Sequence, residues 1–296
     1  MRLVGYGYTI PTADQLTQID ELNTGALRMA TGSNPQLVLA SGVSSMNSFY
    51  GIVDACHDAG KKCSVQLYSP WPDTSYNQVF TNSALRQDFF ANIRGVLSTY
   101  NFDGVNFDWE SDDYAASADI VNFYKELRQY LGTGVLISAV ENYRKQRFNA
   151  EAGAYLDWAG PMTYDVAPAE TWYCTLSQMQ GEANRWAAGG FPKAKTVCGI
   201  TFAARPVWSA WYSGQPYHDT PAGAAQKTDW LEANGFNGVF CYQLGLDKPD
   251  GMLKAIYDAM PHDVPPDPPD PPVPPPCPHT FLKCAECGVT WARTGG

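Results

Sequence analysis

Asn101-Phe102-Asp103-Gly104-Val105-Asn106-Phe107-Asp108-Trp109-Glu110 reads as a strand with two unlike faces. Successive side chains on extended chain point to opposite sides. Asn106, Asp108 and Glu110 therefore share one face, and Val105, Phe107 and Trp109 the other. In a closed barrel of parallel strands the apolar face packs on the surrounding helices and the polar face lines the interior. That interior is normally filled by bulky branched side chains. Two carboxylates and an amide placed there are unfavourable unless they are paired or at work. Glu110 falls at the carboxyl end of the strand, where barrel active sites sit. Two like charges so close disfavour each other's ionisation, so one carboxyl keeps its proton near neutral pH. A glycosidic bond is broken by such an acid, which protonates the leaving oxygen. Competing readings of the same residues are a divalent-cation site, a solvated strand end and a sugar-binding site without catalysis.

Outward from this strand, short apolar segments alternate with helical ones. Strands are expected at Arg2–Tyr8, Cys63–Tyr68, Gly104–Asp108, Val135–Ala139, Ala159–Tyr164, Thr196–Ile200 and Gly238–Tyr242. One more is needed before Cys63, and Ala26–Ala30 and Leu37–Ala40 compete for it. Helices are expected at Thr12–Leu22, Met46–Ala59, Ala115–Leu131, Leu176–Ala188, Ala222–Ala233 and Gly251–Met260. In the third of these, Ile120, Val121, Phe123, Tyr124, Leu127 and Leu131 recur with the helical period. Strands alternating with helices point to an α/β chain folded as a closed (β/α)8 barrel, the TIM-barrel arrangement. An open doubly wound sheet would carry a glycine-rich turn after its first strand. Thr9-Ile10-Pro11-Thr12 stands there instead.

The bulk numbers agree with one large domain and an appendage. The chain has 296 residues, 45% of them hydrophobic and 17% charged, enough to bury a full core. Its net charge of −10, with 20 scattered Lys and Arg, sets nucleic-acid binding aside. No apolar run is long enough for a membrane span. Met1 and Arg2 lead directly into the first strand, so no signal peptide is visible. The expectation is a cytoplasmic protein, one exported by another route, or one whose leader has been removed. Cys56, Cys63, Cys174, Cys198 and Cys241 read as small buried thiols. Of the 4 histidines, His57 reads as helical, His262 and His279 lie at or beyond the barrel's end, and His218 falls in a loop.

Three segments are expected: a barrel over 1–262, a Pro-rich linker over 263–276 and a tail over 277–296. In the linker, proline locks the backbone and removes donors, giving an extended polyproline spacer. The tail is too short to bury a core. Its Cys284-x-x-Cys287 hook, with Cys277 and His279, would supply four tetrahedral ligands, a zinc-knuckle-like tail holding structural zinc. A disulfide and a disordered end are the alternatives. Zinc there would supply the folding energy the tail lacks, and the tail would dock a protein or a surface.

The acidic strand resembles the D-G-x-D-x-D-x-E signature of glycoside hydrolase family 18, the chitinase family. Asp103, Gly104, Asp108 and Glu110 match it, and Asn106 replaces the middle aspartate. Pro161-Met162-Thr163-Tyr164-Asp165 resembles the family's M-x-Y-D motif. Val197-Cys198-Gly199-Ile200-Thr201-Phe202-Ala203-Ala204-Arg205 resembles its G-I-P-F-Y-G-R segment. Gly238-Val239-Phe240-Cys241-Tyr242-Gln243 resembles its last strand, with Tyr242 where tryptophan usually floors the site. A similar D-G-V-N-x-D-x-E occurs in the spore-cortex and chitobiase-like branches.

The resemblance implies a partner and a mechanism. The partner is an oligo- or polysaccharide containing N-acetylglucosamine: chitin, peptidoglycan fragments or N-glycan cores. The mechanism is substrate-assisted retention, with no cofactor for catalysis. Glu110 is implied as general acid and then base. Asp108 would orient the acetamido N–H, and Tyr164 would hydrogen-bond its oxygen. Asp165, Asn106, Tyr242, Arg205 and Tyr6 are the implied substrate-binding residues, and Trp71, Trp208 and Trp211 are loop candidates for the groove. Asn106 is expected to donate a hydrogen bond to Asp108, and Asp103 to support the strand. A chitinase-like lectin that binds without cutting is the alternative, and a metal-dependent hydrolase a third reading.

Overall fold

The computed structural model describes residues 1–29, 35–39, 45, 47–69, 77–110, 117–142, 146–164, 174–202, 219–247 and 251–262. In chain order, the strands are β1 Arg2–Gly7, β2 Glu21–Met29, β3 Leu37–Leu39, β4 Lys62–Ser69, β5 Gly104–Trp109, β6 Leu136–Asn142, β7 Trp158–Met162, β8 Val197–Thr201 and β9 Gly238–Tyr242. The helices are α1 Ala13–Gln18, α2 Ser48–Asp58, α3 Asn77–Thr81, α4 Ser83–Tyr100, α5 Ser117–Leu131, α6 Ala150–Gly153, α7 Leu176–Ala188, α8 Pro221–Ala233 and α9 Met252–Asp258. Residues Met1–Met260 make one compact unit and Pro261–Gly296 a second, of which only Pro261 and His262 are described.

Eight parallel strands follow one another around the sheet as β7-β6-β5-β4-β2-β1-β9-β8. A parallel bridge between Ala159 and Thr196 joins β7 to β8. The ring thus closes as the alternation of strands and helices predicts. At this junction the two backbones nearly touch. A Cβ on Gly160 would lie 1.6 Å from the Val197 carbonyl oxygen, so only glycine lets β7 approach β8.

The strand parity expected of the acidic segment holds. Val105, Phe107 and Trp109 are buried in the outer core. The Phe107 ring meets those of Phe123 and Tyr124 on α5 edge-on, at 5.4 and 5.5 Å. The Trp109 indole donates to the Tyr124 hydroxyl at 2.8 Å. Each fully buried ring of this size contributes roughly 1.5–3 kcal/mol of apolar burial, so α5 fixes how β5 is presented. The opposite face belongs to a separate lumen cluster of Val4, Tyr6, Val140, Trp158, Met162, Val197 and Phe240, with Tyr164 and Tyr242 against it.

Four sequence expectations change. The first helix stops at Gln18, short of Leu22, because Ile19 turns extended and is buried. Asp20 then accepts from the Leu3 amide at 2.8 Å, and Glu21 enters the lumen as the first residue of β2. The missing early strand is this longer β2, which contains most of Ala26–Ala30. Leu37–Leu39 pairs with it antiparallel and lies off the barrel path. Helix α4 is an addition that the sequence reading passed over. Asn82 caps it by accepting from the Ala84 and Leu85 amides, and Phe89, Phe90, Ile93 and Leu97 form its buried face. Finally, β4 runs from Lys62 to Ser69, one residue beyond the expected strand at each end.

The five cysteines of this unit are free and buried, as expected of small core thiols. The linker, the tail ligands Cys277, His279, Cys284 and Cys287, and His218 lie outside the described residues. Among the described residues no helix is long and apolar enough to cross a membrane.

Candidate active site

Parallel strands around a closed ring bring their carboxyl ends to one mouth, and the polar face of β5 leads to it. Register sets the neighbours: Gln66 and Ser138 flank Asn106, and Tyr68 and Val140 flank Asp108. The lumen is polar in this sector because three adjacent strands place Ser64, Gln66, Asn106, Asp108 and Ser138 there, all buried.

Asn106 is held from two sides. Its Oδ1 accepts from the Tyr6 hydroxyl at 2.7 Å, and its Nδ2 donates to Ser138 Oγ at 2.9 Å. The expected bond from Asn106 to Asp108 is therefore replaced. The amide donor to Asp108 comes from Gln66, whose Nε2 lies 2.6 Å from Oδ2. The reason is reach: Gln66 has one methylene more than Asn106 and comes from the neighbouring strand, whereas Asn106 and Asp108 are two residues apart on the same strand. Asp108 Oδ1 is buried and has no hydrogen-bond partner among the described residues. Burial, then the charge of Glu110, raises the Asp108 carboxyl well above its ordinary range, and the Gln66 bond opposes this only partly. Asp108 thus favours its protonated form.

Glu110 stands one residue past β5, half-buried, and its Oε2 accepts from the Tyr68 hydroxyl at 2.9 Å. Phenols complete the surroundings. Tyr164, just past β7, stacks on Tyr242 at 6.2 Å and 28° and meets Phe240 edge-on. Gly199 makes room for it, since a Cβ there would lie 2.8 Å from the Tyr164 ring and 2.6 Å from Phe240. Tyr242 also tilts against Tyr6. Burial first, and then the charge of Asp108, raises both Tyr6 and Tyr164. Burial raises Tyr68 too, followed by the charge of Glu110. These hydroxyls stay protonated and able to donate.

Asp108, Glu110, Asn106, Tyr6, Tyr164 and Tyr242 therefore gather at one place. Asp165 and Arg205 lie outside the described residues, as do Trp71, Trp208 and Trp211. Asp103 points away, as parity predicts. Burial pushes its carboxyl up, but bonds from Lys62, the Cys63 amide and His57 outweigh this and hold it below its usual range. The residues that the sequence reading missed are Gln66, Tyr68 and Ser138. Their signal was available in Ser64-x-Gln66-x-Tyr68, a polar alternation on the strand beside the acids. Among the described residues no three His, Cys, Asp or Glu side chains group to hold a metal ion.

A closed parallel barrel with a buried carboxyl and a second, phenol-held carboxylate at its mouth has the paired-carboxyl arrangement that glycosidase barrels use. Residues 68–247 match the sequence profile of Glycosyl hydrolases family 18, and the chain belongs to that family. It is similar to Chitinase 1 of Aphanocladium album, at 26% identity over 191 residues, covering 53% of this chain and 44% of that protein. The chain thus spans less than half the length of that relative. Among solved structures, a family 18 chitinase from Cycas revoluta in complex with (GlcNAc)3 superposes with a TM-score of 0.70 at 14% identity, over 88% of this chain and 99% of that one. The chitinase-like agglutinin of Robinia pseudoacacia superposes with a TM-score of 0.67 at 15% identity, over 86% and 98%. At these identities the structural likenesses establish the fold.

Proposed function

We propose that the chain hydrolyses β-linked N-acetylglucosamine in chitin-like oligo- or polysaccharides, with retention and by assistance from the substrate's own acetamido group. The observation that carries this reading is the pairing of Asp108, held in its protonated form by burial, with Glu110 at the barrel mouth. In the first step the acetamido oxygen attacks the anomeric carbon as the glycosidic C–O bond breaks. Glu110 gives its proton to the departing oxygen. Asp108, one oxygen of which is already occupied by Gln66, faces the acetamido group with the other. Tyr164 donates to the acetamido oxygen. In the second step Glu110, now a carboxylate, takes a proton from water, which attacks the anomeric carbon and opens the cyclic intermediate. Holding a tethered nucleophile in line replaces a bimolecular encounter, a large share of the rate gain. Tyr242 offers a ring face to the apolar side of a sugar.

The test is release of reducing ends from chitooligosaccharides by the parent protein and by Glu110→Gln. Cleavage by the parent alone is expected, and the product lengths then tell endo from exo action. Intact substrate with both proteins, together with tight binding of the oligosaccharide by both, would overturn hydrolysis in favour of a lectin.

A further inference from the structure

Strand β4 carries Gln66 and Tyr68 two residues apart on the face that looks into the lumen, and each reaches one of the two acids on β5. Gln66 Nε2 lies 2.6 Å from Asp108 Oδ2, and the Tyr68 hydroxyl 2.9 Å from Glu110 Oε2. The Gln66 amide has a defined orientation, because its Oε1 accepts from the Tyr8 hydroxyl at 3.3 Å. An amide nitrogen offers only hydrogens. Asp108 Oδ2 is therefore an acceptor in either charge state, and a protonated Asp108 carries its hydrogen on Oδ1. A hydroxyl donating to a carboxylate favours the ionised form, so Tyr68 acts on Glu110 in the opposite sense to the burial acting on Asp108. Among the described residues, the titratable groups facing the pair are all phenols: Tyr6 on β1, Tyr8 just after it, Tyr68 on β4, Tyr164 after β7 and Tyr242 on β9.

We infer that Gln66 and Tyr68 are positioning residues that divide the site's protons between the two acids. Gln66 confines the Asp108 hydrogen to Oδ1, the oxygen without a partner among the described residues, and Tyr68 steadies Glu110 as the carboxylate that the second step needs. β4 is thus a second functional strand, set against β5 by register alone. This inference rests on the glycosidase reading above.

The test is the pH profile of kcat/KM on chitooligosaccharides for the parent, Tyr68→Phe and Gln66→Glu. Tyr68→Phe removes one hydroxyl and keeps the ring, so the fold has little to lose. Without that donor Glu110 holds its proton to higher pH, and the alkaline limb is expected to rise by roughly 1–2 pH units. Gln66→Glu keeps the shape but can donate to Oδ2 only when protonated. Its activity relative to the parent is therefore expected to climb as pH falls, with KM close to the parent's. A purely structural role would lower activity by the same factor at every pH. An unmoved alkaline limb in Tyr68→Phe, or a pH-independent ratio in Gln66→Glu, overturns the inference. A parent that cuts while the variants keep its profile sinks this inference alone, whereas a parent that cuts no N-acetylglucosamine substrate sinks the glycosidase reading with it.

Discussion

Two carboxyl groups are buried in the lumen of the same barrel, and they are treated in opposite ways. Glu21 opens β2 at the amino end of the ring. One of its oxygens accepts from Ser64 at 2.8 Å, and the other from Arg2 and the Trp158 indole, each at 3.0 Å. Asp108, toward the carboxyl end, has one donor and one orphaned oxygen. Burial raises both groups. At Glu21 a guanidinium and two neutral donors pull the other way. At Asp108 the strongest neighbour is another acid. A buried charge is tolerated when it is fully bonded and paired, and Glu21 meets that standard with side chains from three other strands. It ties β1, β4 and β7 to β2. Asp108 makes a single such bond, to Gln66 on β4. The difference separates a carboxyl that builds the barrel from one that the barrel keeps in readiness, and burial alone does not distinguish them.

The largest expected effect lies beyond the pair, at Glu110, the general acid of the proposed mechanism. Glu110→Gln keeps an acceptor for Tyr68 and removes the titrating proton. kcat is expected to fall about 10³-fold, within the range of general acid–base catalysis, with the melting temperature within a degree or two of the parent's. Asp108→Asn comes next. It keeps the acceptor for Gln66 but replaces Oδ1 by an amide nitrogen, which cannot accept from the acetamido N–H, and kcat should fall about 10²-fold, as when one preorganised partner of developing charge is lost. Stability should move the other way. Folded Asp108 holds its proton above the unfolded value of about 3.9. Above that pH the folded chain binds more protons than the unfolded one, so the parent loses stability as pH rises until its raised folded value is passed. The asparagine variant escapes this loss. It should melt with the parent near pH 3.5 and above it at pH 7. Equal melting at both pH values would show that Asp108 carries no burial strain, and the contrast with Glu21 would fail.

Glu21→Leu is the mirror test. It leaves the Trp158 indole, the Ser64 hydroxyl and Arg2 facing an apolar side chain. Breaking a buried pair costs about 3–5 kcal/mol. Here Arg2 is 29% exposed, and a cavity of about 500 Å³ lined by Met1, Arg2, Asp20, Lys62 and others opens beside it. The guanidinium can turn toward water, so the expected loss is about 2 kcal/mol, read by denaturant titration. Activity per folded molecule should be unchanged. A variant that folds as well as the parent would mean that Glu21 is not the structural half of the comparison.

The sequence carried the active half of this contrast better than the structural half. Period two placed Asn106, Asp108 and Glu110 on one face before any fold was known, because β5 is flanked by strands on both sides and its outer residues are uniformly apolar. Glu21 was hidden. With its neighbours Asp20 and Leu22 it continues the helical pattern of α1, and nothing local says that the chain turns extended at Ile19. That is decided by partners 19, 43 and 137 residues away. Gln66 and Tyr68 escaped for a related reason. Ser64, Gln66 and Tyr68 alternate as one polar face of their strand, but that face shows what it serves only through register with Asp108 and Glu110. Helix α4 was missed although its cap and apolar period are both legible in 82–97. Asp165 and Arg205 remain carried by their motifs alone.

Asn106 sharpens the comparison most finely, because it sits between the two kinds of site. Like Glu21 it is fully bonded, to Tyr6 and Ser138; like Asp108 it belongs to the acidic face of β5. Asn106→Asp keeps the Tyr6 bond, since the new carboxylate oxygen accepts as the amide oxygen did. Ser138 is a hydroxyl and can turn from acceptor to donor, so both contacts survive, but a carboxylate buried there without a counter-charge is unfavourable, and the variant should melt below the parent at pH 7 and closer to it near pH 3.5. What changes is charge. A further carboxylate two residues from Asp108 raises the proton affinity of its neighbours, and both limbs of the kcat/KM profile should move to higher pH by up to about one unit, a coupling of about 1.4 kcal/mol. On the mechanism proposed above, the amide would set the pH at which the acid pair works, without altering which groups do the work. Superimposable profiles for the parent and Asn106→Asp would show that position 106 is insulated from the acids by its own hydrogen bonds, and it would then belong with Glu21 among the groups that only build the barrel.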